Sequence, residues 1–333
     1  EQKMADYVNR KYGIACSNGS AALDIAIRAL NFQKGDEVIM PSFTIISCAQ
    51  SLLNSGVKPV PIDCDYRTFN MNINEIEKNI TKNTKGIMIV HIYGITVDVD
   101  PILDLAEKYK LKIIEDAAEV LGQEYKGNKC GGIGDVSTFS FYPNKQITTG
   151  EGGMVLTNCN TINRKSRELR NLCFTHDRFV HYDLGWNYRM TNLQGAIGVA
   201  QLESIDKVVK KKRFIGEFYN NLLNDIECID LPIKSTDYCE NIYWVYPIVL
   251  NNKISKSAKE VMKLLSENGI GTRPFFYPIH QQPVLKKMGL FKNLHLPNCE
   301  HLYQKGFYIP SGLALTKNDM ETVSRVLHRI LKD

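Results

Sequence analysis

The feature that most constrains this chain is a rhythm. As far as about residue 200, short apolar runs alternate with stretches whose apolar residues recur at helical spacing. Residues 37–40, 57–62, 86–91, 111–115, 136–142 and 153–157 read as strands, and residues 21–30, 47–55, 74–80 and 101–109 as helices. In the segment 21–30, Leu23, Ala26, Ile27 and Leu30 fall on one helical face. The run GIMIVH (86–91) is apolar almost throughout, as a strand covered on both faces must be. Such alternation predicts an α/β fold with a mainly parallel sheet flanked by helices. In such sheets ligands gather outside the carboxyl ends of the strands, where Ser20, His91, Asp116 and Ser140 fall. Beyond Asn192 the rhythm changes to a long helix (194–223), a strand (243–250), a helix (257–268), a strand (272–277) and a last helix (318–331). The expected division is a large α/β domain, 1–205, and a smaller α+β domain, 206–333.

Composition excludes several classes. With 44% hydrophobic and 23% charged residues, and a net charge of +5 over 333 residues, the chain has the make-up of an ordinary enzyme. The one dense basic run, KVVKKKR (207–213), reads as a solvated helix face; without a second basic patch, no nucleic-acid partner is expected. No stretch approaches the roughly 18 apolar residues of a membrane span, so no membrane partner is expected, and no signal-peptide pattern is seen. Nine cysteines without a CxxC pair give neither metal-ligand spacing nor a disulfide framework, which points to reduced thiols, a cytoplasmic location and no metal. The sequence opens on Glu1 rather than Met, so further residues are expected ahead of it.

Four segments carry chemistry. Ser17-Asn18-Gly19-Ser20 precedes a helix, whose free amides and dipole form an anion site that Gly19 lets a ligand approach closely; Ser20 is equally suited to be an ordinary N-cap. Asp116 closes the strand KIIED, where it either caps the next segment or holds a protonated ring nitrogen, and Glu119 faces the same pocket or solvent. Ser140 is either a phosphate donor or a strand serine bonded to its neighbours. Lys145 follows Phe139, Phe141, Tyr142 and Pro143; it is either a snorkelling surface residue or a desolvated amine suited to a Schiff base. The glycines of TGEGG (149–153) lack the spacing of a dinucleotide fingerprint, which argues against a dehydrogenase.

Taken together, the segments SNGSAAL (17–23), PSFT (41–44), HIYG (91–94), IIEDAAE (113–119), FSFYPNKQITTGEGG (139–153), GWNYRMTNLQGAIG (185–198) and RPFFYPIH (273–280) resemble the DegT/DnrJ/EryC1/StrS family of sugar aminotransferases, in family order over nearly the whole chain. The resemblance implies the fold type I architecture of aspartate aminotransferase and a pyridoxal phosphate held on Lys145 as a Schiff base. Asp116 would pair with the pyridine nitrogen, and Gly19, Ser20 and Ser140 would bind the phosphate. Glu119 would lie at the phenolic-oxygen side of the ring, where many members carry Gln or His. Asn187 would reach the phosphate of a neighbouring subunit, making a homodimer with a shared site, and Arg189 and His280 would contact substrate.

The implied reaction moves the amino group of L-glutamate to a nucleotide-linked 4-keto-6-deoxy sugar. Within the family, EDAAE, FYPNK and RPFFYPIH lean toward 4-amino products of the perosamine or viosamine type. A 3-amino or 2-acetamido-4-keto sugar aminotransferase shares every one of these motifs and is the alternative. The lysine argues against the family's dehydratases, which carry His there, and no added DNA-binding segment suggests a regulator. Two departures stand out. Ile45 occupies a position where the family usually stacks an aromatic ring on the cofactor. A family segment of a few dozen residues ahead of Glu1 is mostly missing from this sequence, and part of the sugar pocket is expected to go with it.

Overall fold

The structure is a computed structural model that describes residues 1–177 and 179–332. A seven-stranded sheet forms its centre, with the spatial order Tyr12–Cys16, Gly153–Thr157, Val136–Ser140, Lys112–Asp116, Thr84–Val90, Glu37–Pro41, Lys58–Ile62. The last five are mutually parallel, and Gly153–Thr157 runs against both of its neighbours. Neighbouring residues of one strand enter opposite cores. Val38 and Met40 pack with Met88, Val90 and Ile114 on one face, whereas Ile39 packs with Ile87, Ile89 and Ile113 on the other. Burial on both faces is why these strands read as unbroken apolar runs.

A second sheet, wholly antiparallel, has the order Ile229–Asp230, Tyr246–Leu250, Gly306–Ile309, Arg273–Pro274. Its core joins Tyr246, Ile248 and Phe307 to Ile215 and Tyr219 from helix Ile205–Leu223 and to Met320, Val323 and Leu327 from helix Lys317–Lys332. The expected strand 272–277 shrinks to Arg273–Pro274, because Pro274 has no N–H to extend the ladder. The expected helix 194–223 is two, Asn192–Leu202 and Ile205–Leu223, parted by a turn in which Ser204 N–H bonds the Gln201 carbonyl. The run 207–213 is also not uniformly solvated. Lys207 and Lys210 are exposed, but helical spacing sets Lys212 beside Val209, Gly216 and Tyr219 on the buried face. Among the described residues, no helix is long and apolar enough to cross a membrane.

One close approach orders the loop that leads to the site. Gly153 lies across from both Cys16 and Ser140. A Cβ there would stand 2.3 Å from the Asn18 carbonyl oxygen, so the bare glycine lets the 17–19 loop fold over the sheet end. That loop opens helix Gly19–Ala29, capped by Asn18, whose side chain accepts from Ala21 N–H at 2.8 Å.

Candidate active site

Strand ends and helix starts converge on a cavity of about 600 Å³ at the carboxyl edge of the parallel strands. Gly19, Ser20, Asp116, Glu119, Ser140 and Lys145 all line it. The first amides of helix Gly19–Ala29 have no partner one turn back within the helix, so they form a donor cluster at the positive end of its dipole. Gly19 is pressed against Ser140: a Cβ on it would come 2.8 Å from the Ser140 Cβ and 3.1 Å from its hydroxyl oxygen. The Ser20 hydroxyl stands 2.8 Å from that of Ser47. Three hydroxyls and the helix amides thus line one cavity, a donor set that suits a phosphate.

Lys145 sits in the turn after strand Val136–Ser140, its N–H bonded to the Tyr142 carbonyl at 2.9 Å. Its Nζ lies 3.8 Å from Glu119 Oε1 and 3.9 Å above the centre of the Trp244 ring. Burial drives its pKa down, against the opposing pull of Glu119, Asp116 and Cys48. The amine is therefore easier to deprotonate than a surface lysine, and the Trp244 indole covers it. That indole is itself fixed by a 2.8 Å bond from Nε1 to the Asn144 carbonyl.

Asp116 is buried. Its Oδ1 accepts from Ala118 N–H at 3.1 Å and its Oδ2 from the Cys48 thiol at 3.4 Å. Burial raises its pKa, and these two donors and the more distant Lys145 only partly offset the rise. A cationic N–H brought against it would satisfy what the protein leaves unsatisfied. Burial also raises the pKa of Glu119, whose Oε2 accepts from Tyr93 N–H at 2.8 Å. Tyr93 holds a left-handed backbone (φ 55°) to present that amide.

The structure does not bring all the expected residues together. Arg189, with Nη1 donating to Asn171 Oδ1 at 2.7 Å, and Asn187, expected at a neighbouring subunit's phosphate, lie on an exposed segment and do not line this chain's own cavity. His280, expected at the substrate, is instead buried outside the cavity lining and engaged on both nitrogens. Ser42 Oγ stands 2.8 Å from Nδ1, and Glu300 Oε1 lies 2.9 Å from Nε2. It ties the 273–280 segment to the end of strand Glu37–Pro41, since Ile279 N–H also bonds the Ser42 carbonyl. Ile45 lines the cavity and is 46% exposed, an aliphatic side chain at its mouth. Sequence reading missed Trp244 and Cys48. One of only two tryptophans, within YWVY (243–246), was a signal for the first; nothing in ISCAQ marked the second.

Fold and cavity together define a class: an α/β transferase of fold type I, with a shielded lysine, a buried acid made to face a cation, and a helix-end anion cradle. The comparisons agree. A profile of the DegT/DnrJ/EryC1/StrS aminotransferase family matches residues 1–328, and the chain belongs to that family. It is 39% identical over 333 residues to the GDP-perosamine synthase of Caulobacter vibrioides, spanning 99% of this chain and 89% of that protein. It is 36% identical to the GDP-perosamine synthase of Escherichia coli O157:H7, over 100% of this chain and 89% of the relative. Among solved structures, Helicobacter pylori PseC, an aminotransferase involved in the biosynthesis of pseudoaminic acid, superposes with a TM-score of 0.94 at 25% identity, covering 100% of this chain and 90% of that one.

The chain is thus a pyridoxal-phosphate-dependent aminotransferase, and its residues fit the cofactor. Asp116, the Gly19–Ser20–Ser140 cluster and Lys145 line one cavity, and their chemistry suits a ring nitrogen, a phosphate and an aldehyde in turn.

Proposed function

We propose that this enzyme transfers the amino group of L-glutamate to C4 of a nucleotide-linked 4-keto-6-deoxyhexose, giving a 4-amino-4,6-dideoxy sugar nucleotide of the perosamine or viosamine type. One observation carries the reading: Lys145, whose pKa burial lowers, is held 3.8 Å from Glu119 and 3.9 Å from the Trp244 ring in the cavity that the buried Asp116 also lines. The names of the relatives at 39% and 36% identity support C4 as the aminated carbon and GDP as the carrier.

Bound pyridoxal phosphate supplies an electron sink. The chain supplies the rest. Lys145 would hold the cofactor and, as a free amine, would move a proton to and from the substrate carbon. Asp116, as the carboxylate, would hold the protonated ring nitrogen that the sink needs. Glu119, 3.8 Å from Lys145 Nζ, sets the electrostatics at the amine, and burial raises its own pKa. Ser20, Ser140 and the amides beside Gly19 would anchor the phosphate, while Trp244 covers the amine.

The same reading places the enzyme in the cytoplasm as a homodimer with a shared site. Helix Asn192–Leu202 is rich in apolar residues yet buries none of them, and Leu193 stands 81% exposed. Tyr182 and Leu184, just ahead of it, are as exposed. An apolar surface of this kind calls for a partner, and a second copy would carry Asn187 toward the opposite cavity. We expect Leu193→Asp to sediment as a monomer, and Asn187→Ala to remain dimeric but bind pyridoxal phosphate about tenfold more weakly, the worth of one phosphate hydrogen bond. A Leu193→Asp variant that stays dimeric, or an Asn187→Ala variant with unchanged cofactor affinity, contradicts the shared site.

Substrate choice is tested by a panel. GDP-, UDP- and dTDP-linked 4-keto-6-deoxy sugars are incubated with enzyme and L-glutamate, and products are located by mass spectrometry and NMR. Amination at C4 is expected. Amination at C3 in matched 3-keto substrates, with none at C4, replaces this reading with the 3-amino one.

A further inference from the structure

A second cavity of about 690 Å³ shares the wall formed by Lys145, Trp244 and Tyr308 with the first and extends to the 310–313 turn. Its charged lining is one-sided: Lys145, Lys212 and Arg273 line it, and no carboxylate of the described residues does. The first cavity, by contrast, has Asp116, Glu119 and Glu151. Lys212 is the unusual member. It is 6% exposed, the most deeply buried lysine among the described residues. Its Nζ donates to the Ser311 carbonyl at 2.7 Å and lies 3.3 Å from the Ser311 hydroxyl. No carboxylate of the described residues lies within ion-pair reach of it. Burial alone pulls its pKa to about 7. A buried cation held by a carbonyl and a hydroxyl, with a proton to spare and no counter-charge, is costly unless an anion completes it. Helix Ile205–Leu223 carries Lys207, Lys210 and Lys211 outside the core, so the one turned inward is not a consequence of a basic helix having nowhere else to point.

We propose that this second cavity is an anion subsite of the transferase, in which Lys212 and Arg273 hold the oxygen atoms of a substrate's phosphate or carboxylate group while the rest of the molecule reaches Lys145. The proposal rests on the aminotransferase reading for the identity of the substrates. Two of them bring such oxygens: the diphosphate of the sugar nucleotide and a carboxylate of the amino donor. The cavity is of a size that ligand sites commonly have, and Lys145 at its inner end fixes which part of the ligand reacts.

The test uses the holoenzyme and two probes that need no turnover, GDP and 2-oxoglutarate, with binding followed by calorimetry and by the fluorescence of Trp244, which lines both cavities. Lys212→Met is expected to weaken one probe by roughly tenfold or more, as removal of a buried charge partner does, and to leave the other within about twofold. Lys212→Arg is expected to retain most of the affinity. Loss confined to GDP assigns the subsite to the diphosphate, and loss confined to 2-oxoglutarate assigns it to the amino donor. Should Lys212→Met fail to fold, Arg273→Gln, on an exposed side chain, carries the same comparison. Unchanged affinity for both probes in the variant tested, or a wild-type protein that binds neither, overturns the subsite. A wild-type protein that binds a probe through Lys212 yet aminates no sugar leaves the subsite standing and removes the aminotransferase assignment instead.

Discussion

Replacing Lys145 with alanine is expected to lower kcat for amino transfer by about 10³–10⁴-fold, because one side chain serves as both cofactor anchor and proton carrier. The visible absorption of the lysine-bound cofactor is expected to vanish in the same variant. The geometry makes the size of this effect specific to Lys145. Its Nζ lies 3.8 Å from Glu119 and 3.9 Å from the centre of the Trp244 ring, and burial lowers its pKa. No other lysine among the described residues lines the first cavity. Circular dichroism and cofactor content separate lost chemistry from lost structure. An alanine variant with an unchanged visible spectrum would remove Lys145 from the mechanism.

Asp116→Asn is the second large effect, expected to cost roughly 10²–10³-fold in kcat, the scale on which a preorganised charge at a reacting centre acts. Asparagine keeps the shape and still offers an oxygen to Ala118 N–H, which Asp116 Oδ1 now accepts at 3.1 Å. What it loses is the negative charge that holds a proton on the pyridine nitrogen. Burial raises the pKa of Asp116, so a cationic partner set against its carboxylate is favoured. The substitution should therefore slow both halves of the reaction alike, with L-glutamate and with sugar. Full activity in Asp116→Asn, at normal cofactor occupancy, would contradict this role.

How far the sequence alone reaches can be judged residue by residue. Asp116 and Ser140 were legible because they end strands, and in a parallel sheet strand ends share an edge. Gly19 and Ser20 were legible because a glycine and a polar residue opening an apolar helix mark an anion cradle. Each had a bland alternative, and only their convergence on one cavity with Lys145 makes the chemistry hang together. Positions fixed by long-range packing were not legible. Trp244 reaches the amine from the second sheet's approach, and Cys48 meets Asp116 across a strand-to-helix gap. No local pattern encodes either contact.

His280 and Lys212 show the same limit from opposite sides. A histidine in a family motif was expected at the substrate, and packing seals it between Ser42 and Glu300. A lysine in a basic run was expected in solvent, and helical phase turns it inward onto Ser311. Charge patterning reports what a residue prefers in isolation; the helix phase and the neighbouring turn decide where it goes. Backbone details behave likewise, since Pro274 shortened a strand by a rule that sequence carries, whereas the turn at Ser204 had no such marker.

The most direct measurement traps the cofactor on the protein. Holoenzyme is reduced with borohydride, digested and sequenced by mass spectrometry. A phosphopyridoxyl group on Lys145, and on no other lysine, is the predicted result. Label on a different lysine, or none on the 142–153 segment, would contradict the site described here.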